Sequence, residues 1–183
     1  MTHAASIVGP ELTKLYQLFP DEAAIPAHEI LAPDLVPPPY HDLLVHPHHM
    51  TVAVERFYGQ PVDVEVLHSR LDGHCYSRII RLRLHDGSKV VQFGIVRIHL
   101  DCCSPPVRDK ILEGKTPLGR VLIEHNVLRS IHPTAFLQVM PNAKLMEQME
   151  IDEPSLLYGR LGVIFCDHRP AIEVLEILNP ISE

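Results

Sequence analysis

The sequence lacks any run of apolar residues approaching the roughly 18–20 that cross a bilayer as a helix, although 46% of its 183 residues are apolar. That excludes a membrane-spanning helix and leaves material for one compact domain with a core. Positive charge is also short: sixteen Lys and Arg stand against 23 Asp and Glu, for a net charge of −7. The basic residues are scattered, so the basic patch of a nucleic-acid binder is missing and no nucleic-acid partner is expected. An acidic chain that takes an anion must place a few cations locally, so individual arginines matter more than the total. No Lys or Arg precedes Lys14, and Met1-Thr-His-Ala-Ala5 opens no long apolar core. This excludes a secretory signal and gives a cytoplasmic expectation. Cysteine is sparse. Cys75, Cys102, Cys103 and Cys166 show neither CxxC spacing nor a secreted framework, and read as free thiols packed as small apolar groups.

What is there begins with prolines. Residues 1–40 read as an N-terminal arm, with a short amphipathic helix over Pro10–Phe19 and then prolines at 20, 26, 33 and 37–39. Proline lacks a backbone donor, so this stretch reads as a wrap and not a core element. Residues 41–183 form the domain proper. Helical patches are expected at Tyr40–Val45 and Met50–Tyr58, and a half-buried strand over the alternating Val62–Leu67. Tyr76–Leu84 and Lys89–Leu100 read as strands joined at His85-Asp-Gly-Ser88, a hairpin signal because glycine accepts positive φ. Helices are expected at Pro105–Glu113, Pro117–Glu124 and Asn142–Met149. Further strands are expected at Val127–Met140, Tyr158–Asp167 and Ala171–Leu178. Hairpin-linked strands with helices between them give an α+β class, with five or six antiparallel strands and helices covering one face.

Alternation along two strands isolates two charges. One row of the second strand holds Arg78, Ile80, Leu82 and Leu84, and the other holds Ile79, Arg81 and Arg83 and reads as solvated. One row of the last strand holds Ile172, Val174, Glu176 and Leu178, with Glu173 on the opposite row. An isolated buried charge costs several kcal/mol and needs a partner. Either Arg78 and Glu176 pair as a structural bridge, or they flank a closed pocket, the arginine holding a ligand carboxylate and the glutamate a hydroxyl or a proton. A third possibility is that the strand faces are drawn wrongly. The pattern leaves these open.

Five blocks carry a family resemblance. Gly114-Lys-Thr-Pro-Leu-Gly-Arg120 resembles a segment of the chorismate pyruvate-lyases. So do His49-Met-Thr51 with Glu55-Arg-Phe57, Ser77-Arg-Ile-Ile-Arg-Leu82, Tyr158-Gly-Arg160 and Glu176-Ile-Leu-Asn-Pro180. Their order and rough spacing agree over about residues 43–180. The arm before residue 40 is not covered, and the family's Trp-Gly-Arg reads Tyr158-Gly-Arg160 in a chain without tryptophan. The resemblance implies a six-stranded antiparallel sheet with a ligand sealed under helical flaps. It implies cofactor-free elimination of pyruvate from chorismate to give 4-hydroxybenzoate. The family's carboxylate-binding arginine falls on Arg78 and its catalytic glutamate on Glu176, with backbone amides near Met50 and Leu118 touching the substrate. Arg78 would grip the ring carboxylate in two-pronged fashion, and Glu176 would hold the ring hydroxyl and assist proton movement. Arg81 is the rival for the arginine role should the hairpin alignment shift by a residue; its solvated row argues against it.

Two other readings stand beside this one. The first is a non-catalytic aromatic-acid sensor or carrier, because the effector domains of GntR-type transcription regulators have a similar fold. Those proteins carry a winged helix ahead of it, for which residues 1–40 are short and proline-rich. The second is a metal site at His41, His46, His48 and His49. His-Pro-His-His has no recognised ligand spacing, so a solvated loop before Met50, with no metal, is expected.

Overall fold

The computed structural model describes residues 9–181; the expectation drawn from Met1–Ala5 lies outside the described residues. Six α-helices and seven strands follow in the order α1 Leu12–Tyr16, β1 Ala27–Leu31, α2 Tyr40–Leu44, α3 Met50–Tyr58, β2 Val62–Asp72, β3 Cys75–Leu84, β4 Val90–His99, α4 Pro105–Glu113, α5 Leu118–Glu124, β5 Arg129–Met140, α6 Ala143–Met149, β6 Leu157–Cys166 and β7 Arg169–Leu178. All strands join one antiparallel sheet in the order β1-β5-β6-β7-β4-β3-β2.

The sheet has one strand more than the six expected. The extra strand, β1, lies inside the proline-rich arm and pairs with β5 from Ala27↔Met140 to Leu31↔Phe136. It follows Pro26 and is almost wholly exposed. An edge strand tolerates nearby proline, because one row of its amides needs no partner. Without a buried face it shows no alternation to read. The arm also contributes to the core: Leu12, Leu15, Tyr16, Phe19 and Ala23 are buried.

Helices cover both faces of the sheet, not one. On the first face α2, α3, α4 and α5 pack over Ile80, Leu82, Val96, Ile164, Val174 and Leu178. On the second, α1 and α6 pack over Ile79, Phe93, Ile95, Leu175 and Ile177. The row expected to be solvated therefore lies beneath helices. Arg81 and Arg83 both reach Glu65 on β2 and Glu150 at the end of α6, so charges on that row are satisfied by a four-residue ion network. Arg81 is thereby removed from the ligand-holding role.

Turn chemistry sets the hairpins. Asp86-Gly87 closes β3 to β4, with Gly87 at φ 76°. Asp167 and His168 close β6 to β7 with φ 49° and 64°. Two consecutive positive φ values match the right-handed twist of the flanking strands. The turn pairs Cys166 with Arg169, and a one-residue shift between Phe165 and Ile164 then puts Arg160 opposite Glu176; that register builds the site.

Candidate functional site

A small enclosed cavity lies between the first sheet face and the N-terminal ends of α3 and α5. Its floor carries Arg78, Ile80, Gln92, Gly94, Val174 and Glu176, and its roof His49, Met50, Thr51, Leu118 and Gly119. The structure thus brings Arg78, Glu176, Met50 and Leu118 to one space. Its volume is about 40 Å³, room for a few waters; a ring-sized ligand enters only if α3 and α5 move outward.

The two lone charges do not pair with each other. Arg78 stands across from Val96 on β4, whereas Glu176 is two strands away and one inward-facing position along, in the row Ile80–Gly94–Glu176–Arg160. Gly94 between them has no side chain, and that of Ile80 lies over it. Glu176 is instead held by Arg160, whose Nε donates to Oε2 at 2.7 Å. Arg160 also donates to the carbonyls of Leu44 at 3.2 Å, His46 at 2.9 Å and His48 at 2.9 Å. It is only 2% exposed, so it is a buried charge with a full set of acceptors. It ties the cavity floor to the loop that leads into α3.

Arg78 is the opposite case. It is 1% exposed, yet its Nε and Nη1 have no hydrogen-bond partner. Burial is the largest influence on the group and lowers its pKa, with Tyr76 beside it pushing back upward. Guanidinium remains cationic even so. An open, buried, planar donor set of this kind is complementary to a carboxylate.

The histidine loop is solvated in part, with Pro47 and His48 exposed and His41 and His46 half-buried. His49 is 7% exposed and its Nε2 accepts from Arg129 Nε at 2.8 Å, which places its own proton on Nδ1. Burial, then the charges of Arg129 and Arg160, pull its pKa down to about 4. His46 donates from Nε2 to the Leu43 carbonyl at 2.7 Å and accepts from the His48 amide at 3.1 Å; burial and Arg160 lower its pKa too. Both rings are neutral parts of the roof's support.

The roof elements are joined to each other. Arg120 on α5 bonds Glu55 on α3, and Glu55 also accepts from the Val62 amide at 3.0 Å. Gly119 is needed where the helices meet: a Cβ there would lie 2.9 Å from His49 Cβ. The residues of the Gly114–Arg120 block therefore close the cavity and clamp its two lids together.

Sequence reasoning missed Arg160 as the partner of Glu176, and it missed Gln92. Both were within reach of the alternation test, since Arg160 shares a β6 row with Tyr158, Gly162 and Ile164, and Gln92 a β4 row with Gly94, Val96 and Ile98.

No family model matches the chain, and no curated protein matches it. Among solved structures it is similar to PhnF from Mycobacterium smegmatis, with a TM-score of 0.50 and 10% identity over 70% of this chain and 62% of that one. The chain thus spans less than two thirds of that structure's length. It is also similar to a GntR-family transcriptional regulator from Bacillus cereus, with a TM-score of 0.45 and 12% identity over 65% of this chain and 92% of that one. The C-terminal domain of Yurk from Bacillus subtilis subsp. subtilis str. 168 gives a TM-score of 0.40 and 13% identity over 67% of this chain and 90% of that one. What is shared is the fold, a chorismate lyase-like one found in domains of GntR-family regulators.

These findings correct the expected activity. The likeness extends to the fold alone, and one of the solved structures is named as a GntR-family transcriptional regulator, so the expectation of a chorismate pyruvate-lyase releasing 4-hydroxybenzoate and pyruvate is withdrawn. Glu176, the residue expected to assist proton movement, accepts from Arg160 Nε through Oε2. Among the described residues, no helix is long and apolar enough to cross a membrane.

Proposed function

We propose that the chain is a non-catalytic domain that binds a small organic acid, with an aromatic acid as the first candidate, and that occupancy of the cavity is its signal. One observation carries this reading: Arg78 lines the cavity, and its buried guanidinium has Nε and Nη1 unpartnered. A structural arginine at that depth has acceptors, as Arg160 does. The carboxylate of the ligand would take one of the open donors, Nε or Nη1, with Nη2 as the second prong, and exclusion of water would strengthen the contact. Glu176, held from behind by Arg160, would offer its other oxygen to the far end of the ligand. Met50 and Leu118 would cover it.

A regulatory role suits the mechanics. A ring-sized acid must lift α3 and α5, and α3 is connected through the loop at 44–49 to Arg160 and so to Glu176. Ligand binding would therefore shift an equilibrium between closed and open roof.

The test is calorimetric titration of 4-hydroxybenzoate and benzoate into wild type and Arg78→Met, alongside incubation with chorismate and assay for pyruvate. Binding by wild type, weakened at least about tenfold in the variant, with no pyruvate formed, is the expected result. Equal binding by both proteins would remove Arg78 from the site, and pyruvate formation would contradict a non-catalytic role.

A further inference from the structure

Arg78 is not alone in lacking a partner. Gln92 on β4 is 3% exposed and its Oε1 is buried with no hydrogen-bond partner. Its cross-strand neighbours are Leu82 and Leu178, so it is a polar group set into an apolar row. Of the other polar groups lining the cavity, Glu176 has Arg160, His49 has Arg129, and Thr51 carries a hydroxyl that can both donate and accept. Arg78 and Gln92 are left with opposite needs: one has spare donors, the other a spare acceptor. They stand four residue positions apart along the sheet, roughly 13 Å along the strand direction, with Gly94 and the Ile80 side chain that lies over it between them. An unsatisfied buried acceptor is costly to keep, and a leucine at 92 would match its neighbours and remove that cost.

We propose that Gln92 determines specificity: it selects acids that carry a hydroxyl donor at the end away from the carboxylate. This rests on Arg78 as the carboxylate anchor. The carboxylate takes the Arg78 donors, and the hydroxyl hydrogen points to Gln92 Oε1. The shared chemistry is that of a hydroxy acid. A compact aliphatic one suits the closed cavity, and a hydroxylated aromatic one suits the cavity with its roof lifted.

The experiment is titration of two matched pairs, glycolate with acetate and 4-hydroxybenzoate with benzoate, into wild type, Gln92→Leu and Gln92→Met. The expected result is that wild type prefers the hydroxylated member of one pair by roughly tenfold. Both variants should lose that preference while holding the unhydroxylated acid within about twofold of wild type. The pair that shows the preference identifies the size class. Methionine keeps the length of the side chain, so failure of the leucine variant to fold leaves the test intact. Wild type binding both members of each pair equally, or a variant that keeps the preference, overturns the role of Gln92 and leaves acid binding standing. Absence of binding by wild type to all four acids contradicts acid binding itself, and the role of Gln92 with it.

Discussion

Arg78 and Arg160 project from the same face of one sheet and are equally buried, at 1% and 2% exposed. Their surroundings differ completely. Arg160 has a carboxylate and three carbonyls within hydrogen-bond distance, while Arg78 has open donors at Nε and Nη1. Burial alone therefore says little about what a charge is for. A satisfied buried charge fixes structure, here by holding Glu176 and the 44–49 loop in place. An unsatisfied one weakens the fold locally, and its presence marks a position reserved for something other than stability.

The comparison can be broken by substitution, and the largest effect belongs to Arg160. Arg160→Met leaves Glu176 charged and unpaired and frees three carbonyls, so chemical denaturation should show a loss of about 3–5 kcal/mol. A loss under about 1 kcal/mol would mean that the hub is ornamental.

The roof gives a pH dependence of similar size. The folded protein holds His49 near pKa 4 against an ordinary 6.5, so between those values the unfolded chain binds the proton and the folded one does not. Stability should fall as pH drops from 6.5 towards 4, by on the order of 3 kcal/mol for this group. The lowered pKa of His46 acts in the same sense. His49→Leu should flatten part of the pH profile of the denaturation midpoint; an unchanged slope would show that His49 titrates freely.

A smaller effect is expected where the two lids meet. Gly119→Ala places a methyl 2.9 Å from His49 Cβ and 3.1 Å from Thr51 Oγ1, which should cost about 1–3 kcal/mol and speed hydrogen exchange in α3. Unchanged exchange would indicate that α5 shifts independently of α3.

Much of this architecture was legible in the sequence, and the reason is periodicity. The helix at Pro105–Glu113 has the expected bounds, and the strands at 75–84 and 90–99 fall within a residue or so of them, because proline, Asp-Gly and strict alternation act locally. The same alternation isolated Arg78 and Glu176. Their partners were a different matter. Which charge meets which depends on the register of β6 against β7, and the turn at Asp167-His168 together with the one-residue shift between Phe165 and Ile164 sets that register through backbone geometry that no apolar pattern encodes. β1 was hidden because an exposed edge strand has no face to betray it. Burial of the Arg81–Arg83 row was hidden because α1 and α6, which cover it, are distant in sequence. The resemblance to chorismate pyruvate-lyases pointed to the right kind of fold and to an activity the structural neighbours do not support, as expected when function resides in a site grafted onto a fold.

The most direct measurement is the denaturation free energy of ligand-free Arg78→Met against wild type. An arginine kept for a ligand is a net cost to the empty fold, so the variant should be more stable by about 1–3 kcal/mol. A variant less stable than wild type by a similar amount would show that Arg78 is satisfied in the folded state and would contradict its role as a ligand anchor.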